Sequence, residues 1–341
     1  MPRLSGRFAA LLLPVLVALV AVPARADVPG TVGQCAPGLG IGLLQVPRAT
    51  LSDPRARNYI IDSVKPGAAF TRDIEVCNGT AKPLAVELYP DSATIGHGSF
   101  ALAPGRGQNE LTTWIAVTPA SLLVPAGRAV KATVHVTVPI DATAGERYGG
   151  VVADTPPTSN GGGVSVGGRV GIRVYLNVAT GGAPKSDFTV DSLQAVRRAD
   201  GTSAVLAVVH NTGARALDMR GSLQLTQGPG GLSAGPFPAQ LGTTLAPGDS
   251  APIVVPLDKA IRGGPWHAVI DLTSGVLERK AAGDVTFPDR PDTASPVVLA
   301  KALPLYKDKG ILVPVAGVLV GLMGLLLLIL LLRRRWVGSR T

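Results

Sequence analysis

Two cysteines and four histidines are the side chains of this 341-residue protein with most chemistry to offer. His97, His135, His210 and His267 stand singly; no HxH, HExxH or CxxC sets a second metal ligand at workable spacing. His135 alternates onto the solvent side of an expected strand, and His210 precedes a turn. No GxSxG or SxxK marks a nucleophile. The run Gly38-Leu39-Gly40-Ile41-Gly42 lacks the third glycine of a phosphate loop at its spacing. Acidic pairs such as Asp73 and Glu75 share the outer face of a strand, where they serve solubility. The chain is therefore expected to be no enzyme and to need no cofactor or metal.

The cysteines depend on compartment, which the two ends address. Residues 1–26 carry Arg3 and Arg7, then an apolar run from Phe8 to Val22, then Ala24-Arg25-Ala26, the layout of a cleaved secretory signal peptide. Residues 311–332 are uncharged and long enough, at about 1.5 Å per residue, to cross a ~30 Å hydrocarbon core as one transmembrane helix in the lipid bilayer. Arg333-Arg334-Arg335 follow, so residues 333–341 form a cytoplasmic tail. The expected localisation is the cell membrane, single pass, with the N-terminus outside. Arg3, Arg7, Arg25, Arg333, Arg334, Arg335 and Arg340 lie in these ends, leaving 25 of 32 basic residues against 23 acids. A balance near +2 is no evidence for nucleic-acid binding, which needs a clustered basic face, and no nucleic-acid partner is expected.

Export permits a disulfide, and strand parity favours one. Phe70, Ile74 and Val76 share the inward parity of their strand, whereas Cys77 shares the outward parity of Thr71, Asp73 and Glu75. Cys35 lies in a Gly- and Pro-rich leader, residues 27–37. A Cys35–Cys77 bridge would pin that leader to the first domain; the alternative is two unrelated thiols.

The elements in between are β. Val130, Ala132, Val134, Val136 and Val138 alternate with Lys131, Thr133, His135 and Thr137, and Ile172, Val174, Leu176 and Val178 alternate with Arg173, Tyr175 and Asn177. A period of two marks half-buried antiparallel strands. Gly (42) and Pro (29) supply the turns. A loose repeat relates VCNGTAKPLAVEL (76–88) to VVHNTGARALDMRGSLQL (208–225), and the Pro-Gly turn regions near 125 and 247. The expected fold is all-β: two tandem immunoglobulin-like β-sandwiches plus one C-terminal transmembrane helix. The domains are 38–181 and 182–288, with a stalk at 289–310. Asn78-Gly79-Thr80 reads as a hairpin turn or as a glycosylation acceptor. For binding, Arg173, Tyr175 and Asn177 form the best surface patch, while Trp114, Tyr148 and Trp266 are equally core residues.

The stretches NYIIDSVKPGAAFTRDIEVCNGTAKPLAVELYPDSATIGHGSF (58–100) and LLVPAGRAVKATVHVTVPIDATAGERYGGVVA (122–153) resemble the peptidoglycan-binding domain of WxL-interacting surface proteins of Gram-positive bacteria. The shared features are turn signatures, and the layout of signal, second β domain, span and basic tail is also similar. The resemblance implies a membrane-anchored cell-surface protein that binds peptidoglycan, a surface partner protein, or both. The alternative is a membrane-tethered, chaperone-like accessory protein that holds another exported protein by strand addition.

Overall fold

A computed structural model describes residues 35–156, 167–261 and 263–305. The expected signal peptide, transmembrane helix and tail lie outside the described residues. What is described is mostly β. The first part runs β1 (Leu39–Leu43), β2 (Ile60–Val64), β3 (Ala69–Asn78), β4 (Leu84–Gly96), β5 (Ser99–Leu102), α1 (Glu110–Thr113), β6 (Ile115–Thr118), β7 (Ser121–Val124), β8 (Ala129–Thr137), β9 (Gly145–Asp154) and β10 (Arg169–Val178). The second runs β11 (Phe188–Arg197), β12 (Ser203–Asn211), β13 (Leu217–Asp218), β14 (Arg220–Thr226), β15 (Ala234–Pro238), β16 (Thr244–Leu245), β17 (Ser250–Pro256), β18 (Gly263–Ser274), β19 (Leu277–Phe287), β20 (Thr293–Ala294), β21 (Val298–Leu299) and β22 (Lys301–Leu303).

Each part is a pair of sheets closed on its own core. In the first, β1-β3-β8-β6 faces β2-β10-β9-β4-β5, with β7 on β4. Alternation drives this packing: Ile74, Val76, Val134 and Val136 from one sheet meet Val151, Ala153, Val174 and Leu176 from the other, all buried. In the second, β17-β12-β11-β20 faces β15-β14-β18-β19-β22 over a core that includes Leu193, Val205, Leu223 and Ile270. Trp114 and Trp266 belong to these two cores.

The internal repeat has a physical basis. Asn78 and Asn211 end β3 and β12 with fully buried side chains. The Asn78 amide donates to the carbonyls of Lys82 (2.8 Å) and Val124 (2.9 Å). The Asn211 amide donates to Arg215 (2.9 Å) and Leu245 (3.1 Å). The Asn78 carbonyl oxygen accepts from Thr80 N–H, and that of Asn211 from Gly213 N–H. Each asparagine thus ties its turn to the strand before a Pro-Gly turn. The hairpin reading of Asn78-Gly79 is corrected accordingly: Gly79 keeps a negative φ, and its N–H reaches the Gly38 carbonyl at 2.7 Å. A Cβ on Gly79 would collide with the Ala36 backbone. Burial also removes Asn78 as an exposed glycosylation acceptor.

Cys35 and Cys77 are disulfide-bonded, with Cα atoms 5.6 Å apart. The bridge holds the start of β1 against β3. The expected stalk is corrected as far as Leu303. β20 and β21 pair with β11, and β22 pairs with β19, so residues 293–303 cross from one sheet of the second sandwich to the other. The reason is the outer edge of β11, whose N–H and C=O groups need partners.

Two outcomes follow from these anchors. Cys77→Ser should lower unfolding stability by up to about 4 kcal/mol on the chain-entropy account of a bridge spanning this sequence separation, and a reductant should not lower it further in denaturant titrations. Asn211→Ala removes the buried amide that bonds the Arg215 and Leu245 carbonyls and should cost about 1–3 kcal/mol; a loss below about 0.5 kcal/mol would show that water replaces the amide.

Candidate functional site

The patch expected on the outer face of β10 is not at the surface. Tyr175 is 2% exposed and Asn177 1% exposed. Parity placed them correctly on the outer face, but that face is covered: the second sandwich packs on it at Tyr175, and Asn177 bonds Ser63 Oγ across β2 at 2.9 Å. The rings of Tyr59, Phe100 and Tyr148 surround Tyr175 at centroid distances of 5.5–5.9 Å. Arg173 stacks on Tyr59 and Phe100.

Asp218 sits at the centre of this junction. Its Oδ1 accepts from Arg173 Nη1 (2.9 Å), the Tyr175 hydroxyl (2.9 Å) and the Thr244 hydroxyl (3.0 Å). Arg55 Nη1 approaches its Oδ2 at 3.4 Å and donates to the Ala216 carbonyl at 3.1 Å. Asp53 caps the short helical turn that carries Arg55 and accepts from its guanidinium at 2.8 Å. Burial pushes the Asp53 carboxyl up, but the Arg55 bonds and charge outweigh it and hold the group below its usual range. Burial, then the Asp218 charge, drives the Tyr175 hydroxyl far above the usual tyrosine range. Glu146, from β9, accepts from Ala216 N–H (2.5 Å) and the Tyr148 hydroxyl (3.0 Å), with Arg215 Nε at 3.8 Å. Burial raises its carboxyl despite these partners. The junction is a polar lock with a cavity of about 150 Å³ beside Arg173, Asp218 and Thr244, and of the expected patch only Arg173 keeps part of its surface.

The open chemistry lies elsewhere, on the backbone of β1. Its register with β3 runs from Leu39↔Asn78 to Leu43↔Ile74. Gly79 N–H bonds Gly38 C=O, and Leu44 N–H bonds Asp73 C=O at 2.9 Å. In an antiparallel ladder, hydrogen-bonded pairs alternate. Gly38, Gly40, Gly42 and Leu44 therefore face β3, while Leu39, Ile41 and Leu43 turn N–H and C=O away from it. Among the described residues nothing accepts or donates there. The side chains of Leu39, Ile41 and Leu43 pack on the first core. Gly40 and Gly42 leave the other face bare.

Several other edges are guarded. β2 carries Asp62, paired with Arg72 at 2.6 Å. β15 contains Pro236 and Pro238, β17 contains Pro252 and Pro256, and β6 stops at Pro119. β5 bridges through Ser99 to Thr243 of the second sandwich. β1 has no charge and no proline, the devices that normally block pairing at an edge. The histidines stay apart, His210 against Ser250 and His267 against Asp284. Among the described residues no three His, Cys, Asp or Glu side chains are grouped to hold a metal.

No family model matches the chain, and no curated protein matches it. Solved structures similar to it include the Salmonella enterica SafA pilin in complex with the SafB chaperone (TM-score 0.39, 10% identity, covering 75% of this chain and 97% of that one). The E. coli chaperone DraB (0.36, 12%, 75% and 97%) and the Pseudomonas aeruginosa CupB2 chaperone (0.34, 12%, 66% and 97%) are also similar. Likeness at this level assigns no function. The expected membership of the WxL-interacting surface protein family is corrected: no family model matches the chain. Peptidoglycan as ligand and a Gram-positive surface fall with it, since only that resemblance carried them. The expected single-pass membrane localisation is not upheld either. Among the described residues no helix is long and apolar enough to cross a membrane, and residues 311–332 lie outside them.

The junction makes a pH prediction. Glu146→Gln keeps an oxygen for Ala216 N–H and the Tyr148 hydroxyl but does not titrate. Because the folded state holds the Glu146 proton more tightly than the ordinary value of 4.5, ionisation at this site opposes folding. Wild type should therefore gain stability relative to Glu146→Gln as pH falls from neutral through the raised folded pKa towards 4.5. Paired urea titrations across that window check it; a constant difference, or one of opposite slope, contradicts the assignment.

Proposed function

We propose that this chain is an exported, non-enzymatic holding protein, built from two immunoglobulin-like domains at 38–181 and from 182 through β22, that binds an extended segment of another exported protein along β1. The open edge of β1 carries this reading. A strand added beside Leu39–Leu43 satisfies three outward backbone positions at once and extends the β1-β3-β8-β6 sheet. Main-chain hydrogen bonds supply the affinity in this mode, and alternate side chains supply the choice of partner. The half-buried Leu39, Ile41 and Leu43 offer apolar contact on the core side, so the partner strand should present apolar residues at alternate positions. The disulfide supports the same reading: it fixes β1 on β3 at one end, and a pre-ordered strand loses less entropy on docking.

The test uses Ile41. Its N–H points away from β3, so Ile41→Pro removes an outward donor and leaves the Gly40 and Gly42 bonds to β3 in place. A photo-crosslinker at exposed Leu44, in the exporting cell, should capture one extended peptide of another exported protein. That capture should be lost in Ile41→Pro and kept in Ile41→Val. Slow amide exchange at Gly40 and Gly42 verifies that the proline variant retains β1. Equal capture in the proline variant, or none in the wild type, would overturn the reading.

A further inference from the structure

β1 reads the same in both directions, Leu39-Gly40-Ile41-Gly42-Leu43. We propose that β1 also pairs antiparallel with β1 of a second copy of this chain, about a two-fold axis passing beside Ile41. The pairing rests on the same open edge as the function above, but not on any other protein being held there.

The hydrogen-bonding parity suits this pairing. With Ile41 opposite the partner's Ile41, Leu39 falls opposite the partner's Leu43, and Leu43 opposite the partner's Leu39. These are the three positions whose N–H and C=O point outwards. Facing each other directly, such positions exchange two N–H···O bonds per pair. A shift of one residue would oppose outward groups to inward ones and lose the ladder. Leu39, Ile41 and Leu43 of both copies then lie on the core side of one continuous sheet. Gly40 and Gly42 lie on the other side, where they add no bulk. A two-fold pairing about Ile41 sets residue 41 opposite itself and residue 40 opposite the partner's residue 42, so a strand charged along its length would repel its copy. The strand has no charge, and the charge of the joined edges is compatible with the pairing.

The seam is short. Five residues a side fall well below the ~1,200 Å² that a stable interface buries. The dimer is therefore weak and reversible, and a longer strand from another protein displaces it. Self-pairing covers the edge when no partner is present, as natural edges require.

Opposed charges test this, with slow amide exchange at residues 40 and 42 verifying that β1 stays on β3, since residue 42 lies opposite Glu75. Cβ atoms fit at both glycines, with contacts no closer than 3.5 Å. In the double variant Gly40→Lys/Gly42→Lys, each lysine falls opposite its like across the seam, and likewise in Gly40→Glu/Gly42→Glu. Sedimentation of the purified wild type should show a concentration-dependent dimer. Each double variant alone should dissociate about tenfold more readily, and an equimolar mixture should recover dimer as the lysine–glutamate pair. A wild type that stays monomeric up to ~1 mM, or a mixture that associates no better than its parts, would overturn the proposal. Cross-links from Leu44 to another protein by a strictly monomeric chain would overturn only this inference. A charge-reversible dimer without such cross-links would overturn only the holding function.

Discussion

A strand's N–H and C=O groups must find partners, and a sheet ends wherever the supply of strands ends. That constraint organises this protein. At the ends of β3 and β12 the buried amides of Asn78 and Asn211 donate to four carbonyls of the adjoining turns and strands. Along β11, residues 293–299 supply the missing neighbour, and β22 does so for β19. At β15 and β17, prolines delete donors that would otherwise invite pairing. β1 has none of these devices among the described residues.

The junction between the sandwiches answers a related need. Covering the outer face of β10 brings Tyr175 and Arg173 out of water, which is costly unless their polar groups are bonded. Asp218 meets that requirement, with Thr244 and Arg55 completing its shell. The aromatic packing around Tyr175 adds apolar contact beside the ionic network. β1 lies at a distance in sequence from the lock but on the same sandwich, since it is bonded to β3 and its side chains share the first core.

Much of this was legible in the sequence, and the misses have specific physical causes. Alternation through 130–138 identified β8 and its buried face, because one side of that strand meets water. The same alternation at 172–178 located β10 but misjudged Tyr175 and Asn177: parity separates two faces and does not say what covers the outer one. The outward parity of Cys77 led to the bridge with Cys35. The repeat around Asn78 and Asn211 was visible, yet the inward turn of both side chains was not, because an Asn-Gly pair reads first as a turn. The residues after 288 looked like a stalk because their strands are two or three residues long. The edge at Leu39–Leu43 had no signature beyond an uncharged, glycine-spaced run; its openness follows from strand order, which long-range pairing sets. The likeness in turn signatures to a wall-binding family arose in scaffold positions, which carry fold rather than function.

Site-resolved amide exchange of the free, monomeric chain tests the open edge most directly. The account predicts alternation along β1: Gly40 and Gly42, bonded to β3, exchange slowly, whereas Leu39, Ile41 and Leu43 exchange at least tenfold faster, near the rate of unprotected amides. Uniform slow exchange at all five residues in dilute chain would show that the edge is already covered within the molecule, and would contradict the central claim.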